Sequence, residues 1–188
     1  MPRVGRAAQT GNNGGVRVAV LADTHAPRRW KTCPPAVAAC LRGAGLILHA
    51  GDVCTAEVLD ELAGYAPVLA VLGNNDGQDV AAWVGRRGEE LTERAPDRLE
   101  TQIDGVGVAM VHDSGPASGR PARLHRWFPR ADLVVFGHSH IPMDHSEGGQ
   151  RIFNPGSPTD RRRQPHGTFG LLDIADGRLL QAQIVAVT

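Results

Sequence analysis

The chain has 188 residues, room for one ordinary domain, with 41% hydrophobic and 21% charged residues, the balance of a soluble fold with a real core. Twenty Lys+Arg offset twenty Asp+Glu, and this zero formal charge argues against a general nucleic-acid coating protein. Cys33, Cys40 and Cys54 are an odd number with no CxxC spacing, which argues against a disulfide framework or a thiolate zinc site. No apolar run approaches the roughly 18 residues of a membrane span, and none follows Arg3 and Arg6 as a secretory signal would require. A cytoplasmic protein is expected.

Residues 1–15 are polar and glycine-rich, and a disordered tail is expected ahead of one domain over 16–188. Val16–Leu21 is a β-rich run, Pro35–Leu41 a helix opened by proline, and Leu46–His49 a second strand. Thr55–Leu62 reads as a helix with Thr55 as N-cap, followed by a strand over Pro67–Leu72. Gly85–Arg98 is densely charged and is expected to be a solvated surface excursion. Leu99–Ile103 and Val106–Val111 flank Asp104-Gly105, a hairpin signal. Arg120–Phe128 predicts a helix with Leu124, Trp127 and Phe128 inward and Arg120, Arg123 and Arg126 outward. Leu133–Phe136 and Arg151–Phe153 are short strands, and Phe169–Ile174 with Leu179–Val187 make a final hairpin around Asp176-Gly177. Strands alternating with helices, then hairpins, define an α/β layered domain with mixed sheets.

What ends the strands is informative. Val16–Leu21 runs into Asp23-Thr24-His25, Leu46–His49 into Gly51-Asp52, and Pro67–Leu72 into Gly73-Asn74-Asn75-Asp76. Val106–Val111 runs into His112-Asp113, and Leu133–Phe136 into Gly137-His138-Ser139-His140. Ligands of such sheets bind outside the carboxyl ends of the strands. Asp23, His25, Asp52, Asn74, His112, His138 and His140 are too many donors for one tetrahedral ion and suit two ions sharing a carboxylate. No cysteine joins them, so Mn, Fe or Zn fits better than a thiolate-loving ion. Two dications against two carboxylates leave a net charge near +2, which favours an anionic substrate such as a phosphate ester.

This ordered set resembles the calcineurin-like metallophosphoesterase superfamily, from about Val16 to the C-terminus. The short length, and Asn154-Pro155-Gly156-Ser157 followed by arginines and Gly170-Leu171-Leu172, are most similar to its small bacterial and archaeal phosphodiesterase subfamily. The resemblance implies a four-layer αββα sandwich of two mixed sheets flanked by helices. It also implies a two-metal centre: Asp23, His25, Asp52 and His140 hold one ion, and Asp52, Asn74, His112 and His138 the other, with Asp52 bridging. The implied activity is hydrolysis of phosphodiesters by attack of a metal-bound hydroxide, with Mn preferred and Fe, Zn or Ni as alternatives. The implied partner is a small phosphate ester, with neither a membrane nor general nucleic-acid binding, and a homo-oligomer is compatible with the sequence. Eukaryotic relatives of the subfamily serve as subunits of a trafficking coat. The alternative is therefore a metal-binding scaffold of the same fold acting through protein partners. A scaffold need not keep every histidine, and this chain has them all.

Two positions depart from the family pattern. Asn75 stands where many relatives have a histidine that assists the leaving group, so the proton must come from water, a metal or Asp76. Asp113 stands where glycine is common, as a support for the site or a solvated side chain. His49, inside an apolar strand, reads as a core histidine, and His125, His145 and His166 as surface or loop residues. Trp30 reads as a rim or core aromatic and Cys54 as a small packed residue. The triplet Arg161–Arg163 is either a solvated loop or an electrostatic guide for phosphate.

Overall fold

The computed structural model describes residues 14–86, 94–95 and 97–188; residues 1–13 of the expected tail, and 87–93 and 96 of the expected excursion, lie outside the described residues. In chain order the elements are β1 (Val16–Leu21), α1 (Pro35–Leu41), β2 (Leu46–His49), α2 (Ala56–Ala63), β3 (Val68–Ala70), α3 (Gln78–Arg86) and β4 (Arg94–Ala95). There follow β5 (Arg98–Ile103), β6 (Val106–Val111), α4 (Arg120–Trp127), β7 (Leu133–Val135), β8 (Met143–Glu147), β9 (Gln150–Asn154), β10 (Gly167–Ala175) and β11 (Arg178–Val187). One sheet has the order β11-β10-β1-β2-β3 and the other β4-β5-β6-β7-β9-β8. Strands β1, β2 and β3 are mutually parallel, as are β6, β7 and β9, whereas β4, β5, β8, β10 and β11 join antiparallel.

Strand periodicity sorts the side chains into layers. In β1, Ala19 and Leu21 meet Val37 and Leu41 of α1, with Leu59 of α2 and Trp83 of α3 in the same cluster. The alternate residues Val18 and Val20 face the second sheet, packing with Val108, Met110, Val135 and Phe153. That sheet's outer face, with Ala109, Val134 and Ile152, is covered by Leu124 and Phe128 at α4. Three apolar interfaces between four layers make the αββα sandwich. Between the sheets the Phe153 ring lies so close to β10 that a Cβ at Gly170 would run into it, which explains a glycine in mid-strand. Among the described residues, no helix is long and apolar enough to cross a membrane.

Thr55 is the N-cap of α2 but makes no side-chain cap bond; Asp79 of α3 accepts the Ala56 N–H instead, at 3.0 Å. Helix α3, to which the sequence reading assigns no element, reaches into the expected excursion, and it buries Val80, Trp83 and Val84. The excursion also contains β4 and the first residue of β5. Arg120 and Arg123 do not point outward. Both are half-buried, with Arg120 donating to the Gly115 carbonyl (3.4 Å) and Arg123 to those of Ser114 (2.8 Å), Ser118 (3.2 Å) and Pro116. They clasp the loop that follows His112.

Candidate metal centre

Strands β1, β2 and β3 lead into Asp23, Asp52 and Asn74, while β6 and β7 lead into His112 and His138. Parallel strands place their carboxyl ends along one edge, and the stacked sheets bring the two edges to the same end of the sandwich. Donor atoms of Asp23, His25 and His140 lie within 4.8 Å of one another, and so do those of Asp52, His112 and His138. Asn74 belongs with the second group, its Oδ1 3.2 Å from His112 Nε2 and 2.9 Å from His138 Nδ1. Asp52 Oδ2 stands between the groups, 3.7 Å from His25 Nε2 and 3.4 Å from His112 Nε2. All seven donors singled out in the sequence thus meet at one place.

The local backbone is unusual there. Asp23, His25, Asp52, His138 and His140 have φ between 49° and 67°, the left-handed region that non-glycine residues avoid. Cross-links hold them in it: Asp23 N–H donates to Gly51 (2.9 Å), His25 N–H to Asp52 (3.0 Å) and Gly137 N–H to His112 (3.0 Å). A Cβ at Gly73 would overlap the Asp52 carboxylate, so this close approach requires glycine.

The donors fit divalent cations. His112 Nδ1–H donates to the Ala50 carbonyl at 2.7 Å and His140 Nδ1–H to that of Asp160 at 2.6 Å. A carbonyl only accepts, so both rings turn Nε2 toward the centre. His140 Nε2 then lies 3.2 Å from His25 Nε2 and 3.4 Å from Asp23 Oδ1, and the buried Asp23 Oδ2 has no hydrogen-bond partner among the described residues. Converging lone pairs of this kind repel unless a cation shares them.

Electrostatics agree. Burial lifts the Asp23 pKa to about 7, the His112 charge opposing and the Asp52 charge adding to the rise. Burial also pushes Asp52 upward, but hydrogen bonds from His112 and Asn75 outweigh it and hold the carboxyl well below its usual range. Burial lowers His25, and lowers His140 to about 4, leaving neutral imidazoles suited to ligation. At His112 burial opposes the charged form, yet the hydrogen bond to Asp52 and the charges of Asp23 and Asp52 raise its pKa. A proton there answers the same field that a dication would.

Asn75 and Asp76 both serve Asp52. Asn75 donates its backbone N–H to Asp52 Oδ1 (2.8 Å) and its side-chain amide to Oδ2 (2.7 Å). Asp76 accepts the backbone N–H groups of Asp52 (2.9 Å), Cys54 (2.6 Å) and Gly73 (2.7 Å). The sequence reading offers Asp76, beside water and a metal, as a source of the proton; its carboxylate braces these amides, and burial raises its pKa while the amide hydrogen bonds oppose the rise. Asp113 is exposed and accepts the Gly115 N–H at 2.7 Å, a local turn.

The segment Asn154–Asp160 contributes positioning that residue types alone did not reveal. Ser157 Oγ–H donates to the Asp23 carbonyl at 2.7 Å and Thr159 Oγ1–H to that of Thr24 at 2.9 Å. The Asn-Pro-Gly-Ser sequence is the signal that marks it. Cys54 does more than fill space, its Sγ lying 3.6 Å from His25 Nδ1. Trp30 is a core residue whose indole N–H donates to Glu61 at 2.8 Å. His125, His145 and His166 are exposed.

His49 is fully buried with Nε2 3.2 Å from Thr24 Oγ1, and burial lowers its pKa to about 3. The unfolded chain therefore binds a proton here that the folded chain refuses between about pH 6.5 and 3, so stability from this group is lost as pH falls through that window. Each pH unit below about 6.5 shifts the folding equilibrium roughly tenfold against the native state through His49 alone. Urea midpoints at pH 7 and 5 are expected to fall further for wild type than for His49→Gln; equal falls would contradict this.

A family model described as the calcineurin-like phosphoesterase superfamily domain matches residues 16–177, and the chain belongs to that superfamily. It is 31% identical over 170 residues to a probable metallophosphoesterase of Methanothermobacter thermautotrophicus, covering 89% of this chain and 91% of the relative. Its fold is similar to that of Vacuolar Protein Sorting 29 from Cryptosporidium parvum (TM-score 0.71, 21% identity, 93% of this chain and 100% of that one). It is also similar to that of a novel archaeal phosphodiesterase (TM-score 0.68, 20% identity, 90% of this chain and 99% of that one).

Proposed function

We propose that the protein is a cytoplasmic phosphodiesterase that works with two divalent ions, manganese foremost. The observation that carries this reading is the position of Asp52 Oδ2 between two donor groups at one end of the sandwich. Asp23, His25 and His140 would hold one ion and Asn74, His112 and His138 the other, with Asp52 shared between them. When bound, such ions supply Lewis acidity toward phosphoryl oxygens and make a nucleophile available at neutral pH.

The chain's own work is preorganisation. The Ala50 and Asp160 carbonyls aim two imidazoles, while Asn75 and Asp76 fix Asp52. No imidazole stands at position 75 and Asp76 is committed to backbone amides, so neither residue is placed to protonate a departing alcohol.

The shared fold of Vacuolar Protein Sorting 29 is the ground for a second reading, a scaffold acting through protein partners. The two readings separate in one assay. Protein stripped by a chelator and re-supplied with manganese is expected to hydrolyse bis-p-nitrophenyl phosphate. Hydrolysis of neither that diester nor p-nitrophenyl phosphate would favour the scaffold.

A further inference from the structure

Building on the phosphodiesterase reading, we infer that Arg162 is the side chain that grips the substrate phosphate at the mouth of the centre. The loop carrying it is pinned to the site at three successive points: Ser157 to the Asp23 carbonyl (2.7 Å), Thr159 to that of Thr24 (2.9 Å), and the Asp160 carbonyl to His140 (2.6 Å). Arg162 follows two residues after Asp160, in a left-handed turn with φ 47°. Its Nη1 donates to the His138 carbonyl at 3.4 Å, which sets the guanidinium beside the second donor group. Its positive charge is also felt by Asp23, His25 and His140 of the first group. Arg162 thus touches the second donor group, and its charge reaches the first.

Its neighbours do not. Arg161 turns back to the Gln164 carbonyl at 2.6 Å, and Arg163 is exposed with no partner among the described residues. Arg162 is exposed too, and its Nε and Nη2 donors have no protein partner among the described residues. A guanidinium fork with free donors matches two phosphoryl oxygens. With Arg29, Thr159, Asp160 and Arg161, Arg162 also lines a polar cleft of about 370 Å³, which gives the second ester arm of a diester a place to lie.

The test is calorimetric titration of inorganic phosphate into manganese-loaded wild type, Arg162→Ala, Arg162→Lys and Arg163→Ala, with KM and kcat for bis-p-nitrophenyl phosphate. Arg162→Ala is expected to weaken phosphate binding about tenfold or more, the loss of a charge-assisted hydrogen bond. Its KM should rise more than its kcat falls. Lysine should recover part of the affinity, since it keeps the charge but not the fork, and Arg163→Ala should stay within about twofold of wild type. Equal phosphate affinity in Arg162→Ala and wild type overturns the assignment, as does no phosphate binding by wild type. An equal loss in Arg163→Ala also overturns it, in favour of general steering. A wild type that hydrolyses no ester, yet loses phosphate binding on Arg162→Ala, would remove the phosphodiesterase reading and keep Arg162 as the anion's contact.

Discussion

Asp52→Asn is expected to lower turnover of bis-p-nitrophenyl phosphate by roughly 10³-fold or more while leaving the fold in place, and His112→Ala to do the same. Among the described residues, Asp52 is the one carboxylate whose oxygen lies near imidazole nitrogens of both groups, so the change removes a negative charge from both ion sites at once. Loss of the several kcal/mol that metal ions contribute to a phosphoryl transition state corresponds to a rate loss of that order. The fold should survive because the three apolar interfaces do not include these side chains. Circular dichroism and a melting curve check the fold, and kcat checks the loss. Either variant hydrolysing the diester at the wild-type rate would place the chemistry elsewhere.

Wild type is expected to prefer aryl over alkyl phosphodiesters strongly, and Asn75→His to narrow that preference by about tenfold or more. A nitrophenolate departs without a proton, whereas an alkoxide needs one, and general-acid help is worth roughly 10²–10⁴-fold. The Asn75 amide also bonds Asp52 Oδ2 at 2.7 Å, so replacing it weakens that support for every substrate alike. The ratio of the two rates is therefore the diagnostic quantity. Measuring kcat for one aryl and one alkyl diester in both proteins decides the matter. An unchanged ratio would show that Asn75 acts only by holding Asp52.

The donors were legible because each follows an apolar run, and parallel runs end on one edge. Asp23, Asp52, Asn74, His112 and His138 announce themselves this way, and His25 and His140 lie two residues beyond Asp23 and His138. The supports were not legible, since Ala50 and Asp160 aim imidazoles with backbone carbonyls, which every residue type carries. Asp76 looked like chemistry because a carboxylate beside donors is read as an acid, yet its partners are amides from three separate residues. Strand β8 is almost wholly exposed and polar, so no alternation marks it. Helix α3 does carry a stripe in Val80, Trp83 and Val84, but in a short segment between Gly77 and a charged run. Arg120 and Arg123 were misplaced because a long side chain can start on a polar face and reach back to carbonyls of its own neighbourhood.

The central claim is that two ions share Asp52. Manganese titrated calorimetrically into chelator-stripped wild type and Asp52→Asn tests it without reference to any substrate. Two ions per chain are expected in wild type, with fewer than two bound by the variant over the same concentration range. One ion or none in wild type, or two ions held equally by Asp52→Asn, would contradict it.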